Sequence, residues 1–102
     1  MHLKNGHLII DNAIIQQLWG DITHLNWVFY KNKNSIMFCS VEDELFKKLH
    51  KTTLSMLKLK NANGDRSLSL QELIIDNDLD NTDRALAYIA DDGMKILNVT
   101  IL

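Results

Sequence analysis

The chain has 102 residues, 46% of them hydrophobic and 24% charged, with a formal net charge of −2. That is the composition of one globular domain and excludes a disordered tail or a strongly basic chain. A single cysteine, Cys39, excludes an intrachain disulfide framework and a cysteine metal cluster. No apolar run approaches the roughly 20 residues of a membrane helix, and "MHLKNG" is not followed by a signal-peptide core. A cytoplasmic location without membrane contact is therefore expected.

In chain order, Asn5-Gly6 is a turn signal and "HLII", residues 7–10, a short β-type run. Asp11 follows as a helix N-cap. Ile14, Ile15, Leu18 and Trp19 recur at helical spacing, and Gly20 is a stop. "LNWVFY" (25–30) and "IMFCSV" (36–41) flank the polar "KNKNS" and predict a hairpin, with Cys39 as a buried, inert thiol. Ser40 with Asp43 resembles a capping box, and acids stand at 42, 43 and 44. They open a helix predicted over 42–60. Leu45, Phe46, Leu49, Thr53, Met56 and Leu57 mark its apolar face, and Lys47, Lys51 and Lys58 another stripe.

After the turn "NANGD", "SLSL" (67–70) reads as a strand, and Ser69 with Glu72 caps a short helix whose face is Leu73, Ile74 and Ile75. "DNDLDNTD" is a polar connection. "RALAYIA" (84–90) and "MKILNVTI" (94–101) flank Asp92-Gly93, a hairpin signal. Leu8 placed over Leu68 brings Ile10 onto Leu70, Ile14 onto Ile74 and Ile15 onto Ile75; a few residues of slippage later, "WVFYKNKNSIMF" matches "ALAYIADDGMKIL". The fold expected is α+β, one domain over 1–102. Two β-α-β-β repeats (5–41 and 64–101) exchange hairpins into a small pseudo-symmetric barrel, and the 42–60 helix links them.

This order of elements resembles the swapped-hairpin fold of the AbrB/MraZ-type transcription regulators, closest to the MraZ-type members that carry two units in one chain. The resemblance covers nearly the whole chain and is one of pattern. It implies a DNA-binding, oligomeric regulator. The family's proline at the end of the strand before the helix is matched here by Asp11 and Gln71. Its DNA-contacting helix arginine is matched by Gln16, Gln17, Asp76 and Asn77. The resemblance therefore carries over the fold and not the DNA-contacting residues.

Charge locates the expected partners. Residues 1–60 hold eight lysines against five acids and all four histidines, whereas residues 61–102 hold three basic residues against eight acids. Phosphate contacts require cations, so DNA would meet the first unit, through Lys4, Lys31 and Lys33. Gln16 and Gln17 are helix residues of a type that reads adenine. The acidic "QELIIDNDLDNTD" would repel a duplex. A second reading takes 61–72 as a weak EF-hand-like calcium loop in a helix-loop-helix, with Asn61, Asn63, Asp65, Ser69 and Glu72 as ligands. Against it stand a neutral asparagine in first place and Arg66 where the loop's sharp turn wants glycine.

His2, His7, His24 and His50 lack metal-ligand spacing, and there is no nucleophile elbow or phosphate loop. Trp19, Trp27, Phe29 and Tyr30 sit at apolar positions and are expected in the core. The function expected is that of a non-enzymatic, cofactor-free regulator-like domain. It would act by homo-oligomerisation and by protein or DNA contact.

Overall fold

In the computed structural model, which describes residues 1–102, Asn5 and Gly6 both take positive φ, 51° and 75°. Two left-handed residues are what a type I′ hairpin demands. β1 (His2–Lys4) therefore folds back on β2 (His7–Ile10), with Lys4 opposite His7. β1 was not legible as a strand in the sequence. α1 (Asn12–Leu18) buries Ile14, Ile15 and Leu18, the predicted stripe. Asp11 stands at its N-cap position but makes no side-chain cap; its carboxylate meets the N-terminal ammonium at 3.3 Å. The Asn12 N–H donates instead to Asp65 Oδ1 at 2.8 Å, so a carboxylate from the far half of the chain satisfies this helix end.

β3 (His24–Tyr30) and β4 (Ser35–Ser40) form the predicted hairpin, closed by a 3₁₀ turn over Lys31–Lys33 and a left-handed Asn34. α2 is short, Glu44–Leu49, with Asp43 accepting from the Phe46 N–H at 2.9 Å. The predicted 42–60 helix is corrected here. After His50 the chain is extended, as β5 (Thr53–Met56) and β6 (Lys58–Leu59). β5 completes a ladder beside β3, with Thr53 opposite Trp27 and Met56 opposite His24. Between the two strands the buried Leu57 turns inward and its N–H donates to the Thr23 carbonyl at 2.7 Å. β6 then continues into the other sheet.

The second half follows as β7 (Arg66–Ser69), α3 (Gln71–Asp76), β8 (Arg84–Ala85), β9 (Tyr88–Asp91) and β10 (Ile96–Thr100). Ser69 Oγ accepts from the Gln71 N–H, while the exposed Glu72 makes no capping box. The architecture is α+β: ten strands in two five-stranded antiparallel sheets, with three α-helices. The first sheet has the order β6-β7-β2-β1-β8, the second β5-β3-β4-β10-β9. Leu8 pairs with Leu68 in the first, and Met37 with Asn98 in the second. The chain passes from one sheet to the other three times: through α1 between β2 and β3, and at Leu57 and Leu86, both buried.

One cluster of 18 buried residues fills the space between the sheets. Leu3, Leu8 and Leu68 come from the first sheet, Leu25, Ile36, Phe38, Leu97 and Val99 from the second, and Ile14, Ile15, Leu18, Leu73 and Ile74 from α1 and α3. Trp19, Trp27 and Phe29 pack against it as expected. Tyr30 does not; its hydroxyl lies 2.6 Å from His50 Nδ1. A second, small cluster of Cys39, Phe46 and Ile96, with Val28 and Met37 against it, lies on the outer side of the second sheet beneath α2.

Candidate phosphate-binding face

Strand alternation sends Leu3, Leu8 and Leu68 into the core, which turns their neighbours outward. One cross-strand row of the first sheet runs Lys58, Ser67, Ile9, His2; the next runs Ser69, His7, Lys4. Two adjoining depressions open on this face and share His7 and Ser67. One, of about 290 Å³, is lined by Lys4, Asn5, His7, Ile9, Lys60 and Ser67. The other, of about 210 Å³, is lined by His7, Ser55, Met56, Lys58, Ser67 and Ser69. No carboxylate lines either one. Three exposed ammonium groups, an imidazole and serine hydroxyls are the donor set that phosphate oxygens take up.

The acids nearest in the fold are occupied in turns. Asp83 Oδ1 accepts from the Asn5 N–H at 2.9 Å. Asp65 accepts from the Asn61 side-chain amide at 3.0 Å and from the Asn12 N–H, and these two bonds hold its carboxyl below the usual carboxylate value of 3.8. His7 Nδ1 donates to the Asn5 carbonyl at 3.1 Å, which leaves Nε2 for a ligand. The largest cavity, about 560 Å³, lies elsewhere. It is lined by Asn5, Gly6, Gln71, Ile74, Ile75, Asn81 and Asp83, without a cation.

Of the residues expected to meet DNA, only Lys4 belongs to this face. Lys31 and Lys33 stand in the 3₁₀ turn of the second sheet's hairpin, with Lys33 Nζ 6.0 Å from the centroid of the Tyr30 ring. Gln16 and Gln17 lie on α1 with their amides engaged. Gln16 Nε2 donates to Asn12 and Asp21, both at 3.3 Å, and Gln17 Nε2 to Asp92 at 2.8 Å. The five residues are not one surface. The face gathers instead Lys58 and Lys60, which the sequence placed on a helix or its end, and His7, which it treated as scattered. The overlooked signal was the parallel alternation of Lys58 with Lys60 and of Ser67 with Ser69.

The helix-loop-helix reading is also corrected. Extended β6 precedes residues 61–72, and β7 occupies 66–69. Asn61 Oδ1 accepts from the Asn63 and Asp65 N–H groups, at 3.0 and 3.3 Å, so it points into its own loop. Asp65 is committed as described, Ser69 is a strand residue opposite His7, and Glu72 is exposed on α3. No group of three His, Cys, Asp or Glu side chains converges at metal-binding distance.

No helix is long and apolar enough to cross a membrane. No protein-family model matches the chain, and comparison with curated proteins and with solved structures gives no match.

Proposed function

We propose that this chain is a non-enzymatic contact module built from two swapped-hairpin units, with the outer face of its first sheet binding the phosphate backbone of nucleic acid. The observation that carries this reading is the carboxylate-free surface of Lys4, Lys58, Lys60, His7, Ser67 and Ser69.

Strand register supports the duplication. The β2–β7 pairing is symmetric about Leu8 and Leu68: His7 meets Ser69, and Ile9 meets Ser67. Shifting the first hairpin so that Met37 falls on Asn98 carries Tyr30–Ser35 onto Asp91–Ile96 and Trp27–Phe38 onto Tyr88–Val99, all four residue pairs being cross-strand partners. The same shift lays the left-handed Asn34 over the left-handed Lys95. β1 corresponds to β5–β6. Leu3 opposite Arg84 matches Leu57, whose N–H bonds Thr23, and His2 opposite Ala85 matches Met56 opposite His24. In this correspondence Lys4 and Lys58 are equivalents, and each brings one cation to the same face. Each repeat is then β-β-α-β-β, with α2 as the connection. Each unit's first strand pairs with the other unit's hairpin, β1 with β8 and β5 with β3, and this exchange supports the swapped-hairpin reading.

The test is equilibrium binding to random-sequence duplex DNA as a function of salt. Three lysines neutralising three phosphates give a log–log slope of about −3, with non-specific dissociation constants on the order of 10⁻⁴ to 10⁻⁶ M at physiological salt. Lys4→Ala, Lys58→Ala and Lys60→Ala combined should remove the complex, while charge reversal at Lys31 and Lys33 leaves it intact. Absence of any complex at low salt, or loss on the Lys31 and Lys33 change alone, overturns the assignment.

A further inference from the structure

The outer side of the second sheet carries a surface of opposite character. α2 is anchored by the buried Phe46, and it turns Leu45 and Leu49 into solvent, 65% and 68% exposed. These two residues are one helical turn apart and form a single stripe. Met94, in the turn between β9 and β10, is 63% exposed. Leu45, Leu49 and Met94 line a groove of about 250 Å³ together with Met37, Phe46 and Ile96.

Its two polar lining residues are already engaged. Asp43 caps the Phe46 N–H, and His50 bonds the Tyr30 hydroxyl. An apolar occupant would leave both of these bonds intact. Exposed leucines at helical spacing beside an apolar groove are both halves of a helix-in-groove contact.

Charge selects the occupant. The leading end of α2 is acidic, with Glu42, Asp43 and Glu44, and the trailing end is basic, with Lys47, Lys48 and Lys51. Glu44 and Lys47 pair within the helix at 2.9 Å, which leaves Glu42 at one end and Lys48 and Lys51 at the other. A second α2 laid antiparallel brings each acidic end against a basic end, whereas a parallel copy opposes like charges. Antiparallel packing about a two-fold axis also satisfies the self-complementarity of an isologous interface.

We propose that the α2 face is a homodimer interface, with two copies of this chain packing α2 antiparallel so that Leu45 and Leu49 of each enter the groove of the other. The surface is distinct from the phosphate-binding face, which lies on the other sheet and stays open in the dimer.

The test is sedimentation equilibrium of the whole chain over a concentration series. The wild type should dimerise. Leu49→Glu, at an exposed position that leaves the fold intact by circular dichroism, should weaken the dimer on the order of 100-fold, because two copies of a buried leucine are lost. Glu42→Lys alone should weaken it too, and adding Lys48→Glu to the same chain should restore it, since the antiparallel pair is again complementary. Monomeric Leu49→Glu chain should still bind duplex DNA. A wild type that stays monomeric at millimolar concentration overturns the proposal, as does a dimer indifferent to Leu49→Glu. A Glu42→Lys defect that Lys48→Glu deepens overturns the antiparallel geometry.

Discussion

The two sheets share one core and differ on their outer faces. Outward from the first stand His2, Lys4, His7, Lys58, Ser67 and Ser69 around the single apolar Ile9, with no helix over them. Outward from the second stand Val28, Met37, Cys39 and Ile96, and α2 lies across them. The inner faces are equally apolar, so burial in the core does not separate them. The difference comes from the alternate set of side chains, those that folding leaves unconstrained. A polar alternate set leaves a sheet wet and available to ions. An apolar one recruits a cover, and that cover, being short, exposes leucines of its own.

The strongest way to break the contrast is to remove the anchor of the cover. Phe46→Ala should cost about 3 kcal/mol, the low end for a buried phenylalanine because its cluster is peripheral. The readout besides the melting curve is Cys39. Its thiol is fully buried, and burial, with the Asp43 carboxylate beside it, pushes it up to about 12. In the wild type it should resist thiol reagents at pH 8 until the chain unfolds; in the variant it should react in the folded state. Duplex binding by the first sheet should be unchanged.

Smaller effects are expected at the turns that bracket the first sheet. Gly6 and Gly64 both have positive φ, and each lies against the first residue of a helix from the other half of the chain. A Cβ on Gly6 would sit 2.7 Å from Gln71 Cγ, and one on Gly64 2.8 Å from Asn12 Cγ. Alanine at either position should cost about 1 to 3 kcal/mol by thermal denaturation. Gly20→Ala, with equally positive φ and nothing within 4 Å of its Cβ, should cost only about 1 kcal/mol. Equal losses at all three would mean that the helix–turn contacts contribute nothing.

The smallest effect sharpens the contrast. Asp65 titrates below 3.8 when folded, so its stabilising bonds are complete above that value and are lost as pH falls through the lower folded one. Asp65→Asn should remove that part of the acid-induced loss of stability. It should also strengthen duplex binding by less than tenfold, because one negative charge leaves the neighbourhood of the proposed phosphate-binding face.

Much of this layout was legible in the residues. Asn5-Gly6, "KNKNS" and Asp92-Gly93 all mark hairpin turns, and Ile14, Ile15 and Leu18 form the stripe that α1 buries. Residues 53–59 were not legible, for a definable reason. A strand that stays in one sheet buries every second residue. This one turns Leu54 and Met56 outward from the second sheet, then buries Leu57 where it passes to the first. Apolar residues on both the outward and the inward set hide the alternation, and Thr53, Met56 and Leu57 imitate helical spacing. The proposed phosphate-binding face stayed hidden because Lys58 and Lys60 acquire neighbours only once β6 lies beside β7. Three-residue β1 is too short to carry a periodic signal at all.

The two crossing strands have a consequence for how the protein is made. β3 finds its edge partner only in β5, and β1 only in β8, so the first half emerging from a ribosome holds two ladders with one rail missing. Nearly the whole chain must be synthesised before either sheet is complete, because the first needs β8 and the second β10. Nascent intermediates should therefore be long-lived, and cutting the loop between β6 and β7 should yield two fragments that fold only in each other's company.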